Sequence, residues 1–165
     1  MQLLQQVQEC HNCSLRKTRP VEGIGNIKNP KVMVVLEKPS DDDELCGSLY
    51  YSAPVRHLAK LLFSAGLVKG QIRFTYLTRC HPGRKCVPGK KQVGECSKWL
   101  EAEIAELKPQ LIVPVGKLVS DYFSQSQHKH FAVAAAHKLF MQGQKNDFEI
   151  VQQLQAILSD KAVAN

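Results

Sequence analysis

The chain has 165 residues, 44% of them apolar, and 22 Lys and Arg against 15 Asp and Glu give a net charge of +7. That length suits one domain over residues 1–165 with a core of its own. The polar start Met1-Gln-Leu-Leu-Gln-Gln-Val-Gln8 is not a secretory signal, and no apolar run nears the ~18 residues that cross a bilayer, so the expectation is a cytoplasmic monomer without a membrane partner but with a polyanionic one.

Taken in order, Lys31–Glu37 is a short β-branched run that reads as a strand buried on both faces. Pro54–Gly66 carries Val55, Leu58, Leu61 and Leu62 at helical spacing and stops at glycine. Gln71–Thr78 reads as a second strand. Gln92–Leu107 is a helix with Cys96, Trp99, Leu100, Ile104 and Leu107 on its apolar stripe. Gln110–Val115 is a third strand, ended by Gly116, and Lys117–Phe123 a short helix. Phe131–Ala136 reads as a fourth strand and Asp147–Ser159 as the last helix. Strands alternating with helices predict an α/β fold, a three-layer αβα sandwich around a four-stranded, mostly parallel sheet.

Four cysteines stand out from this pattern. Cys10 and Cys13 form a close pair, and Cys80 and Cys96 follow with fifteen residues between them. Neither pair makes a site alone. Together they supply four thiolates, enough for a tetrahedral metal site or a four-iron cluster. In a reducing compartment six cysteines argue for metal over disulfides. Cys46 and Cys86 remain as free thiols. From Arg79 to Lys91 the chain carries Arg79, Arg84, Lys85, Lys90 and Lys91, with no acidic residue and with Pro82, Gly83, Pro88 and Gly89 as breakers. This basic loop suits contact with phosphates; the plainer reading is a solvated loop that keeps the protein soluble.

In parallel sheets, ligands bind beyond the carboxyl ends of the strands. Two such ends carry acid–base candidates, Glu37 and His137, a hundred residues apart in sequence.

From Cys10 to about residue 120 the chain resembles the iron–sulfur, or family 4, uracil-DNA glycosylases. The likeness rests on Cys10-x-x-Cys13-x-Leu15, then Arg19, Val21, Gly23 and Gly25. The strand Val32–Val35 follows and leads into Leu36-Glu37-Lys38-Pro39-Ser40, where the family has GEAPG. Asp41-Asp-Asp-Glu44, Gly47 and an aromatic Tyr50 come next, then Cys80-His-Pro82, Cys96, Pro109 and Gly116. His137 stands where the family's HPxxLR motif begins.

The resemblance implies a DNA glycosylase that flips a base from the duplex and cleaves its N-glycosidic bond. The bond breaks through a sugar cation, as in glycoside hydrolysis, while negative charge grows on the departing base. On this reading His137 donates to the departing base, and Glu37, or failing that Asp43, positions water and balances the cation. Lys38, Pro39, Ser40, Tyr50 and Tyr76 meet the base, and Arg79, Arg84, Lys85, Lys90, Lys138 and Leu139 meet DNA. Cys10, Cys13, Cys80 and Cys96 hold a structural [4Fe-4S] cluster, with zinc as the alternative.

The chain departs from the family pattern at telling places. Both glycines of GEAPG are gone, and Lys38 replaces a small residue. Tyr76 stands where the family reads uracil with an Asn. The Pro and Arg after His137 are replaced, leaving Leu139 and Phe140 as either a wedge into the base stack or core residues. These changes point to uracil or a modified pyrimidine as the target, in repair or in defence against modified viral DNA. The alternative is an inactive iron–sulfur DNA-binding protein on the same scaffold.

Overall fold

The structure, a computed structural model, describes residues 2–15, 19–49, 52–83, 86–142 and 144–159. Its elements in order are α1 (Gln2–Gln8), β1 (Ile24–Gly25), β2 (Val32–Leu36), α2 (Asp41–Cys46), α3 (Ala53–Ser64), β3 (Ile72–Tyr76), α4 (Lys90–Leu107), β4 (Leu111–Pro114), α5 (Lys117–Phe123), α6 (Ala136–Gln142) and α7 (Gln144–Ser159). A single 3-10 turn, Lys69–Gln71, leads into β3. No helix among the described residues is long and apolar enough to cross a membrane.

The sheet runs β1-β3-β2-β4. β2 pairs in parallel with both β3 and β4, and the two-residue β1 adds an antiparallel edge against β3. Every residue of β2, β3 and β4 is buried, as strands covered on both faces require. The period-2 alternation assigns the faces. Val32, Val34, Leu36, Ile72, Phe74, Leu111 and Val113 point into a core shared with α3, α6 and α7. Met33, Val35 and Ile112 point the other way, to Leu100, Ile104, Val119 and Phe123 on α4 and α5. The result is the expected αβα sandwich.

The fourth strand is not where the sequence placed it. Residues 131–136 make only isolated parallel bridges, His130 to Ile112 and Val133 to Val115, before α6 starts at Ala136. The run Phe131-Ala-Val-Ala-Ala-Ala136 is mostly alanine, which has little side chain for a pleated surface and strong helix propensity. The short edge strand β1 takes the fourth place instead. α1, α2 and α6 also escaped the periodicity, being only 7, 6 and 7 residues long.

This topology opens a crevice. β2 sends the chain to α3 on one face, while its neighbours β3 and β4 send it to α4 and α5 on the other. Where adjacent strands diverge in this way, their carboxyl ends part and a ligand can enter.

Candidate active site and cysteine pocket

The crevice holds a cavity of ≈ 290 Å³ beyond the ends of β2 and β4. Its polar lining is Glu37, Lys38, Ser40, Asp43, Ser52 and His137, set among Leu36, Pro39, Pro54, Val55, Val115 and Ala136. The two acid–base candidates at distant strand ends therefore share one hollow, with Lys38, Pro39 and Ser40 beside them. His137 sits in the first turn of α6, exposed, and not on a strand end.

Local chemistry fixes the carboxylates. Gly116, at φ 96° and ψ 165°, takes a backbone form reserved for glycine. A Cβ there would lie 2.5 Å from Glu37 Oε1. The missing side chain lets Glu37 reach the start of α5, where Leu118 N–H donates to Oε1 at 3.0 Å. Asp43 is buried and belongs to a capping box: Ser40 donates to Asp43 Oδ2 from its backbone N–H at 2.8 Å and from its hydroxyl at 2.7 Å. Ser40 Oγ in turn accepts from Asp43 N–H at 3.2 Å. Four acidic residues in the first turn of α2 match the positive end of its dipole. His81 clamps this helix to the segment after Cys80, with Nδ1 2.7 Å from Glu44 and Nε2 3.3 Å from Asp41.

Several expected contacts do not form. Tyr76 is fully buried and does not line the cavity. It closes β3 on the α3 side, where an apolar ring is core material. Burial, together with the Asp43 carboxylate, holds its hydroxyl well above the usual tyrosine range, and that hydroxyl makes no hydrogen bond within geometric limits. Leu139 is 3% exposed and packs into the same core, so it neither wedges nor meets DNA; Phe140 and Met141 beside it are the exposed pair. Arg79 is 2% exposed and cannot reach phosphate. Lys90 and Lys91, at the start of α4, and Lys138 on α6 are exposed as a DNA-contacting surface requires. Tyr50, Arg84 and Lys85 lie outside the described residues.

Arg79 turns inward to a group the sequence reading missed. Glu103 on α4 accepts from Arg73 Nε at 2.8 Å and from Thr75 Oγ1 at 2.7 Å, and Arg79 Nη2 also bonds it. Burial opposes the charge on Glu103, but the Arg79 and Arg73 guanidiniums outweigh it and hold the carboxyl below its ordinary value. The signal was present: Arg73 and Thr75 break an apolar strand at alternate positions, and Glu103 interrupts the apolar stripe of α4.

The four cysteines converge. Cys10, Cys13, Cys80 and Cys96 line one pocket with Val7, Leu15, Pro20, Arg79 and Trp99. Cys46 and Cys86 are exposed elsewhere. Trp99 Nε1 donates to Cys10 Sγ at 3.3 Å, and Arg79 N–H donates to Cys96 Sγ at 3.3 Å. Burial pushes the Cys96 thiol up, against the pull of the Arg79 N–H. Among the described residues no group of three or more His, Cys, Asp or Glu is arranged to hold a metal ion.

Comparison with known proteins agrees with this geometry. The family model for the uracil DNA glycosylase superfamily matches residues 22–158. The type-4 uracil-DNA glycosylase of Archaeoglobus fulgidus is 27% identical over 122 residues, which is 73% of this chain and 61% of that protein. The type-4 enzyme of Pyrobaculum aerophilum is 30% identical over 112 residues, 67% of this chain and 57% of the relative. That of Saccharolobus solfataricus is 27% identical over 120 residues, 71% of this chain and 55% of the relative. The chain thus spans little more than half the length of these curated relatives.

Proposed function

Since the chain belongs to the uracil DNA glycosylase superfamily, we propose that it hydrolyses the N-glycosidic bond of a flipped-out pyrimidine in DNA and leaves an abasic site. The observation that carries this is the meeting of Glu37 and His137 in one cavity at the diverging strand ends. A buried base is out of reach, so it must be turned into such a hollow. His137 donates to the base as negative charge grows on it. Glu37, with Oε1 held by Leu118 N–H, keeps its other oxygen for water and for the sugar cation. Asp43 supports the cavity wall through its capping box. Lys90, Lys91 and Lys138 hold the phosphate backbone.

The substrate is uracil or a pyrimidine with a polar substituent. Lys38 lines the cavity and brings three donors, suited to added hydroxyls or a phosphate. No amide side chain lines the cavity to pair with uracil's edge among the described residues. A second reading, a silent DNA-binding protein, draws on the fact that Glu37 and Asp43 are both engaged in structural hydrogen bonds.

We assign Cys10, Cys13, Cys80 and Cys96 as ligands of a [4Fe-4S] cluster. Four cysteines from three segments around one pocket, two of them accepting N–H donors, suit such a group. Zinc instead gathers its thiolates at about 2.3 Å around one point. When bound, the cluster ties the N-terminal segment to α4 and to the loop after β3.

The test is base release from DNA carrying uracil or modified pyrimidines, read as strand scission after alkali. The expected result is release from at least one DNA, falling roughly 10²–10³-fold in His137→Ala and comparably in Glu37→Gln with DNA binding kept. Binding without release from any DNA establishes the silent reading.

A further inference from the structure

The buried polar group beside the cysteines is not fully paired. Arg73, Arg79 and Glu103 are each 3% exposed or less. Two guanidiniums thus share the one carboxylate that they bond. Arg73 has its charge met through Nε and Nη2, both on Glu103 Oε1 at 2.8 Å. Arg79 gives only Nη2 to Glu103. Its Nε and Nη1 are buried with no hydrogen-bond partner. Buried donors are almost always paired, and an orphan calls for a reason. A buried cation needs an anion at hand even more.

The cysteine pocket adjoins these donors. Arg79 lines it, precedes Cys80 in sequence, and donates its backbone N–H to Cys96 Sγ. The carboxylate that lines the pocket, Glu95, is paired with Lys98 at 3.4 Å. Its remaining walls are largely apolar, with Val7, Leu15, Pro20 and Trp99.

We propose that Arg79 is the counter-cation of the group held by the four cysteines: Glu103 anchors one end of its guanidinium, and the two unpartnered donors serve the thiolate-bound anion. This rests on the cluster assignment above. A four-iron cluster with four thiolates carries net negative charge, and its potential follows that charge, the hydrogen bonds to its sulfurs and its exposure. A fixed cation and two donors in a dry pocket favour the reduced form and slow the loss of iron. Arg73, on the far side of Glu103, provides the matched control, since its loss damages the same buried group without touching the pocket.

The experiment compares parent, Arg79→Gln, Arg79→Lys and Arg73→Gln, purified without oxygen. Iron content, bleaching by a chelator and potentiometric titration followed by electron paramagnetic resonance are read for each. Arg79→Gln should bleach at least tenfold faster. At a fixed potential its reduced-to-oxidised ratio should fall about tenfold, a shift of about 59 mV for one electron. Arg73→Gln should stay within about twofold of the parent. Arg79→Lys keeps the charge and loses the fork, so it should fall between. If Arg79→Gln does not fold, parent-like bleaching and potential in Arg79→Lys overturn the proposal. So does equal behaviour of Arg79→Gln and Arg73→Gln in iron-loaded protein, which leaves the cluster assignment standing. A folded parent that carries zinc and no iron overturns both.

Discussion

The two hollows of this molecule are built on opposite plans. The strand-end cavity exists because the sheet exists: β2 and β4 diverge, and Glu37, Asp43 and His137 are delivered to its walls by elements that pack on the core. The cysteine pocket has no such frame. Its N-terminal wall is held by little buried apolar surface, chiefly Val7 and Leu15, while Gln5, Gln6, Glu9, His11, Asn12 and Ser14 face solvent. One site is shaped by the fold. The other is lined by four cysteines on segments that the sheet does not frame.

The largest expected effect breaks the second plan. Cys96→Ala should release the iron entirely and detach the N-terminal segment, because metal binding in such sites is also folding energy. Limited proteolysis should then cut between residues 5 and 20, and the brown absorbance should vanish, while β2, β3 and β4 keep their protection in hydrogen exchange. Uncut, iron-loaded protein would show that the pocket is framed without its ligands.

Glu103 joins α4 to the sheet through Arg73 and Thr75, and to the pocket-lining Arg79. Glu103→Gln leaves two buried guanidiniums without their anion and should cost about 3–5 kcal/mol. The pH dependence gives a second handle. The folded pKa of Glu103 lies below its ordinary 4.5, so its contribution is complete above that value and disappears as pH falls through the lower folded pKa. Urea midpoints of the parent should therefore drop steeply below about pH 4.5, and those of Glu103→Gln should drop less. Equal acid sensitivity would place the loss elsewhere.

How much of this was legible beforehand follows the same division. The meeting of Cys10, Cys13, Cys80 and Cys96 around one pocket was readable because one residue type recurs at close spacings, whatever the fold around it. Strands β2 and β4 were readable because burial on both faces leaves an unbroken apolar run, and β3 because β-branched and aromatic residues dominate it. Glu37 and His137 were placed through the rule on strand ends. The errors came where an exposed role and a buried one use the same residue. Arg79 in a basic loop looked like a phosphate contact; only Glu103, twenty-four positions on, shows that it turns inward. Leu139 looked like a wedge until α6 put it against α3 and left Phe140 outside. The alanine-rich run before His137 looked like a strand because an all-apolar run of six residues states no period. Such ambiguities are tertiary, and a single sequence holds no pairing information to resolve them.

A smaller effect tests the first plan. Gly116→Ala places a Cβ against Glu37 Oε1 and asks an L-residue to hold φ 96°. Backbone strain of this kind costs of order 1–3 kcal/mol. The more telling readout is base release, which should fall further than the stability loss alone allows, because Glu37 is pushed off Leu118 N–H. Unchanged release would mean that this anchor does not position the carboxylate for the reaction.

The smallest effect concerns Tyr76, where the sequence reading and the structure disagree most directly. The sequence places it against the base. The structure closes β3 with it, seals its ring in the core and leaves its hydroxyl buried near Asp43 with no bond of acceptable geometry. An unpaired buried hydroxyl adds nothing to stability and carries a desolvation cost, so replacing it with hydrogen is nearly neutral or slightly favourable. Tyr76→Phe should thus stay within about 1 kcal/mol of the parent in urea unfolding and keep the same ranking of DNA substrates. A loss of about 2 kcal/mol or more would reveal a real bond to Asp43, since that is the range for leaving a charged partner unmet. A changed substrate ranking at unchanged stability would return Tyr76 to the base pocket. Either outcome would also reassign Asp43, whose second oxygen would then belong to the same network as the strand-end cavity and not to the capping of α2 alone.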